Sequence, residues 1–149
     1  MIIHEMKQRS DEWFAIRTGR ITSTSFSAMA NQNKAPIENL CLQTAAEKLT
    51  GVSCESGFTN AVMDNGAETE ALARAAYETT QMVHVVEVGF ISLDEDIGCS
   101  PDGLVGDAGG LELKCPMPHT HLGYLLAPQK LVAKYKWQVQ GFLFVTGRE

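Results

Sequence analysis

Two acidic residues and a lysine, separated by a short stretch of chain, form the most chemically suggestive pattern in the sequence. Asp102 lies in the turn-like segment 99–103 (CSPDG), and Glu112 and Lys114 lie in segment 110–114 (GLELK). If the second segment is a strand, its alternate side chains share a face, so Glu112 and Lys114 project together while the two leucines enter the core. Two carboxylates beside a lysine can bind a hard divalent cation and orient or deprotonate an attacking water molecule. The pattern is typical of a metal-dependent phosphodiesterase.

Each half of this pattern also has an ordinary interpretation. Ser-Pro-Asp-Gly is a common turn sequence, because Pro and Gly occupy natural turn positions. Glu112 and Lys114 also suit the solvent-exposed face of an edge strand. Only a short hairpin separates the two segments, so Asp102 and Glu112 can meet across neighbouring strands. Adjacent carboxylates repel each other unless a proton or a cation intervenes, and magnesium accepts both.

Length and composition predict one globular domain. The chain has 149 residues, of which 44% are hydrophobic and 20% are charged, and we expect residues 1–149 to form a single unit. No apolar run approaches the roughly 20 residues that span a bilayer, and the N-terminus lacks the pattern of a signal peptide. The net charge of −6 argues against general adhesion to nucleic acid, although a local basic pocket or bound cations can reverse the field at a site.

Cysteine usage predicts reduced thiols. The four cysteines include no CxxC pair, and without a secretory signal the thiols are expected to stay free. Cys115, His119 and His121 raise the alternative of a zinc site. Their spacing matches no common zinc module, and a fourth ligand would have to come from a distant part of the chain.

The elements that must position these groups follow the order helices, strands, helices. Helices are predicted to begin near Ser10, Thr22, Pro36, Gly66, His119 and Ala133. Strands are predicted over Met82–Val88, within 93–104, and over Leu111–Lys114. This order indicates an α+β fold, or a mixed sheet with helices packed on it. The short connections between the strands favour an antiparallel meander.

Several blocks of the chain resemble one nuclease family. Asp102 followed by 112–114 resembles the PD-(D/E)XK signature, and the longer runs 99–104 and 110–116 resemble the phage lambda exonuclease and YqaJ-like viral recombinase family. Further matching blocks are Glu12-Trp13, Arg17, Gly19, 21–23, 66–70, Thr120-His121, Tyr135 and 138–141. The resemblance covers most of the chain. It implies a restriction-endonuclease-like core in which helices flank a mixed or antiparallel central sheet.

The resemblance also implies a metal site. Asp102 and Glu112 would ligate Mg²⁺ or Mn²⁺, and the backbone carbonyl of Leu113 would be a further oxygen ligand. Glu70 would reach the cation from its helix, directly or through water. Lys114 would orient the attacking water or help to deprotonate it.

Two of the residues implied for the active site, Glu70 and Gln138, also have interpretations without a role in catalysis. Glu70 could instead form an exposed ion pair with Arg74, since the two are four residues apart on a helix. Gln138 shares a helix face with Tyr135 and Phe142, and could be a half-buried amide with no role in chemistry. The family pattern implies that Gln138 lines the active site and helps to position water or substrate.

Arg17 is the implied clamp for a 5′-phosphate, because a guanidinium holds phosphate through a bidentate fork. The hydroxyls of Thr24 and Ser100 would complete this pocket. His121 either contacts the phosphate or packs against nearby chain. The alternative for Arg17 is a surface residue that extends its charge into solvent from a helix end.

The resemblance implies a metal-dependent 5′→3′ exonuclease that acts on linear double-stranded DNA ends and leaves 3′ single-stranded tails for phage-type recombination. It further implies a single-strand annealing partner, a homotrimeric ring around DNA, and a cytoplasmic location in a bacterial or phage-infected cell. A catalytically impaired DNA-end-binding module and a PD-(D/E)XK endonuclease stay open as alternatives. Family members continue beyond the final helix, so we expect this chain to lack C-terminal elements, as a fragment, a natural truncation or a decayed prophage copy.

Overall fold

Helices at both ends of the chain enclose short strands. The structure, a computed structural model, describes residues 1–54 and 61–148, without the side chains of 61–68. Within these ranges the helices are α1 (Asp11–Arg17), α2 (Phe26–Ala30), α3 (Lys34–Thr50), α4 (Ala61–Gln81), α5 (Pro118–Leu126) and α6 (Pro128–Thr146). The strands are β1 (Ile2–His4), β2 (Ile21–Thr22), β3 (Val85–Val86), β4 (Phe90–Ser92), β5 (Ile97–Cys99), β6 (Gly103–Val105) and β7 (Gly109–Leu111). No helix in these ranges is both long and apolar enough to cross a membrane.

The strands form two sheets. In the first, β1, β4 and β5 are antiparallel and β2 joins β5 in parallel; the second is the antiparallel sheet β3-β6-β7. The α+β prediction is confirmed, but the prediction of one continuous meander is wrong. The chain leaves the first sheet at the fully buried Pro101, because proline has no N–H to continue a ladder.

Several predicted boundaries also shift. The third strand ends at Leu111 rather than Lys114, and the backbone N–H of Leu113 donates instead to the carboxylate of Asp102. The final helix begins at Pro128 rather than Ala133, because proline fits the first turn of a helix. Segment 51–60, whose small and polar residues predict a loop, is irregular over 51–54, and its remainder lies outside the described residues.

Helix α6 packs against the first sheet and carries much of the core. The buried cluster consists of Val88, Ile91, Cys99, Leu104, Phe142 and Val145. Gly141 lets α6 approach the turn before α2, since a Cβ there would lie 2.7 Å from the ring of Phe26 and 3.0 Å from Cα of Ser23. A side chain at this position would push the helix away.

The C-terminal end of α6 is tied to the β6–β7 turn. Nη1 of Arg148 donates to the carbonyl oxygens of Gly106 at 3.0 Å and Gly109 at 2.6 Å. The next residue of β7, Gly110, lies directly under the ring of Phe142, where a Cβ would come within 2.1 Å of it. Two contacts from α6 and the residues just after it therefore hold neighbouring residues of the hairpin.

The two phenylalanines of α6 test this packing. Phe142→Ala should lower the free energy of unfolding by about 3–5 kcal/mol, because it leaves a cavity in the core. Phe144→Ala is the matched control, since that ring is 60% exposed whereas Phe142 is 7% exposed, and it should cost under about 1 kcal/mol. Urea denaturation measures both. Equal losses would contradict the assignment of Phe142 to the core.

Candidate active site

The ends of the β6–β7 hairpin bring the two predicted carboxylates together. Gly103 pairs with Leu111 in the register of these strands, so the next pair along the ladder sets Asp102 opposite Glu112. The backbone N–H of Asp102 donates to the carbonyl of Leu111 at 3.2 Å, and the backbone N–H of Leu113 donates to Oδ2 of Asp102. Together these two hydrogen bonds, one from the backbone and one to the side chain of Asp102, fix its carboxylate at the sheet edge.

The carboxylate of Glu112 accepts hydrogen bonds from two side chains. Nζ of Lys114 and Nε2 of Gln138 both donate to its Oε1, so α6 reaches the acid through Gln138. Nζ of Lys114 also lies 4.7 Å from the centre of the Tyr135 ring, one helical turn before Gln138. Lys114 is thus held between an acid and an aromatic ring, on the face of α6 that the sequence predicted.

Glu70 enters the cluster from α4. It forms the predicted ion pair with Arg74, with 3.5 Å between Arg74 Nη2 and Glu70 Oε1. The pair is not exposed, because only 14% of the Arg74 side chain and 26% of the Glu70 side chain are accessible. The charge of Asp102 raises the pKa of Glu70, and the two residues line the same cleft, so Glu70 lies close to Asp102. The ion pair and the place beside Asp102 were posed as alternatives, and the structure contains both.

The pKa values of all three acids lie above their usual range. Burial is the main cause at each of them. The negative charge of Asp102 further raises the pKa of Glu70 and of Glu112, while Arg74 and Lys114 act against the increase. At Asp102 the N–H of Leu113 opposes the effect of burial without cancelling it. The cluster therefore holds more negative charge than its surroundings stabilise.

A divalent cation would relieve this excess charge. Asp102, Glu112 and Glu70 present only oxygen donors, which Mg²⁺ and Mn²⁺ prefer. In the described residues no group of three or more acids, histidines or cysteines is already arranged to hold a metal ion; this applies to the three acids and equally to Cys115, His119 and His121 of the zinc alternative. Lys114, Gln138 and the N–H of Leu113 contact oxygens of Glu112 and Asp102. The donor chemistry of the three acids fits Mg²⁺ or Mn²⁺.

Two clefts flank the acids. One, of about 300 Å³, has Glu70, Arg74 and Asp102 among its lining residues. The other, of about 310 Å³, is lined by Glu112 and Lys114 and by apolar side chains of α6. Each of the three partly buried acids therefore lines one of these two clefts.

Arg17 forms a second polar centre. It is 8% exposed, and its guanidinium carbon lies 4.2 Å from the centre of the Trp13 ring. Nη1 of Arg17 donates to Oγ of Ser100 at 3.2 Å, and Nε1 of Trp13 donates to the same oxygen at 2.9 Å. The alternative of an extended surface arginine is wrong, because the aromatic ring and the hydroxyl hold the charge inside.

The other two residues predicted for the phosphate pocket, Thr24 and His121, are exposed. Thr24 is exposed and its hydroxyl hydrogen-bonds Thr22 at 2.9 Å. His121 is exposed on α5. The structure thus joins Arg17 to Ser100 directly, while Thr24 and His121 stand at the protein surface.

Sequence reasoning missed two charged residues near these centres. Glu47 is 6% exposed and accepts the backbone N–H groups of Gly19 and Cys54 at 2.8 and 2.7 Å, beside a small polar cavity that Arg17 also lines. Glu87 pairs with Arg74 at 2.5 Å. No spacing rule links residues this far apart in the chain, so the sequence carried no signal for either contact.

Comparison with known proteins places these features in a family. Residues 12–149 match the model of the YqaJ-like viral recombinase domain. The chain is 36% identical to a solved alkaline exonuclease, LHK-Exo from Laribacter hongkongensis, with a TM-score of 0.81. A second structure, LHK-Exo in complex with dAMP, gives 35% identity and a TM-score of 0.82. Each match covers 94% of this chain and 70% of the other. No curated protein sequence matches the chain.

The raised pKa of Glu70 predicts that replacing this residue with a neutral one stabilises the folded protein, by an amount that depends on pH. Its folded pKa lies above the value of 4.5 for a free glutamic acid, so ionised Glu70 destabilises the folded state at pH 8 and protonated Glu70 does not. Glu70→Gln should therefore raise the melting temperature of the cation-free protein at pH 8. The gain should shrink as the pH falls through the folded pKa. A gain that grows on acidification would contradict the charge crowding.

Proposed function

Because the chain belongs to the YqaJ-like viral recombinase domain family, and is a nuclease of the alkaline-exonuclease type, we propose that it is a metal-dependent 5′→3′ exonuclease. Its substrate would be the end of linear double-stranded DNA. The observation that carries the proposal is the convergence of Asp102, Glu112 and Glu70 with Lys114 at one edge of a sheet. Excess acid charge beside one amine suits phosphodiester hydrolysis better than it suits simple binding of DNA, which is itself an anion.

Mg²⁺ or Mn²⁺ is the proposed cofactor. Asp102, Glu112 and the backbone carbonyl of Leu113 would hold it, with Glu70 acting directly or through water. A bound cation of this class supplies Lewis acidity to the scissile phosphate and lowers the pKa of an attacking water. The raised pKa values of the three carboxyls support the proposal, because burial and, at Glu70 and Glu112, the neighbouring acids disfavour their charged forms, which a bound cation would favour.

Lys114 would orient the attacking water and help to remove its proton. The contacts with Glu112 and Tyr135 restrict its amine to one position, and restriction of this kind lowers the entropy cost of reaching the transition state. Gln138 would hold Glu112 in place and present its remaining amide hydrogen to water or substrate. As it takes up the proton of the water, the amine of Lys114 would stabilise the negative charge that develops on the phosphate oxygens in the transition state.

Arg17 would recognise the terminal 5′-phosphate, with the Ser100 hydroxyl beside it. Its stacking on Trp13 and its bond to Ser100 orient the guanidinium before substrate arrives, which favours bidentate binding of a phosphate. Thr24 and His121 would act at the rim of this pocket, in keeping with their exposure.

The products proposed are mononucleotides and a 3′ single-stranded tail, used in phage-type recombination with a single-strand annealing partner. A homotrimer around DNA is the proposed assembly. The match to an alkaline exonuclease over 94% of this chain supports the shared chemistry.

A digestion assay tests this function directly. Linear duplexes with a 5′-phosphate should lose nucleotides in Mg²⁺ and stay intact in chelator, while nicked circles of the same sequence should persist much longer. Equally rapid cleavage of the nicked circles would favour the endonuclease alternative. Metal-independent binding to DNA ends, with no nucleotide release, would favour the end-binding alternative.

Recognition of the 5′-phosphate has its own test. Arg17→Lys should lower the rate on 5′-phosphorylated duplex by roughly 10–100-fold, because lysine cannot form the bidentate contact. The rate on 5′-hydroxyl duplex should change little. The ratio of the two rates is the measurement, and an unchanged ratio would remove Arg17 from end recognition.

Lys114→Ala should slow cleavage about 10²–10⁴-fold, the usual contribution of a proton-transferring side chain. Binding of 5′-phosphorylated duplex, measured without divalent cation, should be nearly unchanged. Lys34→Ala is the matched control, because the Lys34 side chain is 88% exposed and pairs with Glu38 on the surface of α3. Near-normal turnover by a folded Lys114→Ala protein would contradict the assigned role.

A further inference from the structure

Arg74 links two parts of the fold at the edge of the acid cluster. Its Nη2 lies 3.5 Å from Glu70 on the same helix, and its Nη1 lies 2.5 Å from Glu87 in the segment between β3 and β4. Only 14% of its side chain is exposed. The planar guanidinium therefore spans from α4 to the chain that enters the first sheet.

The position of Glu70 depends on this link more than the positions of the other acids do. Asp102 and Glu112 extend from paired strands, and their register already sets them side by side. Glu70 comes from α4 and must reach Asp102 across the cleft that both line. A long carboxylate side chain in that position has several rotamers available unless a partner selects one.

We propose that Arg74, anchored by Glu87, is a positioning residue that holds the Glu70 carboxylate beside Asp102 and so strengthens cation binding at the site. This inference rests on the proposed function, because it assumes that the acids hold a divalent cation. Outer partners of ligating carboxylates commonly change metal affinity by about 10–100-fold. Lysine would be a poor substitute, because a point charge cannot bind two separate carboxylates in fixed directions.

The sign of the effect separates positioning from simple electrostatics. Removal of a positive charge near a cation site would, through charge alone, strengthen cation binding. If Arg74 positions Glu70, its removal should weaken binding instead. The loss should also disappear when Glu70 has already lost its charge, since Arg74 would then have no ligand to position.

Calorimetric titration of Mn²⁺ into the full chain tests the inference without any need for nuclease activity. Arg74→Met should raise the dissociation constant about tenfold, and Arg74→Lys should fall between it and the unaltered protein. In a Glu70→Gln background, Arg74→Met should cause no further weakening. Glu38→Gln, which breaks an exposed ion pair elsewhere, should leave Mn²⁺ binding unchanged.

Glu87→Gln provides a second approach should Arg74→Met fold poorly. The Glu87 side chain is 69% exposed, so its loss should hardly alter the melting temperature. Its weakening of Mn²⁺ binding should be several-fold smaller than that of Arg74→Met, and should vanish in the Glu70→Gln background. Equal or tighter Mn²⁺ binding by Arg74→Met, equal losses with and without Glu70, or no Mn²⁺ binding by the unaltered chain would overturn the inference.

Digestion of 5′-phosphorylated duplex by the same proteins separates the two proposals. If the unaltered chain binds Mn²⁺ but releases no nucleotides, the exonuclease proposal fails and the positioning role stands on the titration. If the unaltered chain digests DNA and the Arg74→Met titration is unchanged, the exonuclease proposal stands and the positioning role fails.

Discussion

Crowding of buried acids at the end of one hairpin is the constraint on which the rest of the structure depends. Asp102 and Glu112 face each other because the β6–β7 register sets them there, and burial raises the pKa of both. Folding must stabilise this excess of negative charge with whatever donors the surrounding elements supply. Lys114, the N–H of Leu113 and Gln138 fill that role within the chain. In the proposed function, Lys114 and Gln138 would also act on water or substrate once a cation is bound.

Helix α6 serves both the core and the site, and this explains its tight packing. Phe142 lies within the buried cluster, while Gln138, one helical turn earlier, contacts Glu112. A helix that shifted would move the amide away from the acid as well as open the core. Glycines at the two closest approaches, Gly141 on the helix and Gly110 on the hairpin, keep this distance short. Stability and site geometry therefore rest on the same contacts.

Local sequence patterns predicted many of the helices and strands. They failed where contacts between elements determine the structure. Helices beginning near Ser10 and within the alanine-rich segment of α4 follow from capping and propensity. The division of the strands into two sheets could not be predicted from the sequence. Alternation of apolar and polar residues identifies a strand but does not show which other strand it pairs with. Strand β1 was missed, since a strand of three residues carries too little pattern. The third strand was drawn too long because, after Leu111, the carboxylate of Asp102 accepts the backbone N–H of Leu113 in place of a ladder partner.

Sequence by itself determined the donor chemistry of this protein: which acids, amine and guanidinium are present, and the short spacing that lets Asp102 and Glu112 meet across a hairpin. Tertiary structure decided which groups contact one another over long separations. It alone buries Arg17 against Trp13 and Ser100, and joins Arg74 to Glu87 across the start of the sheet. The physical reason is that spacing rules govern neighbours within a helix or strand, whereas burial and charge pairing between elements depend on how the whole chain packs.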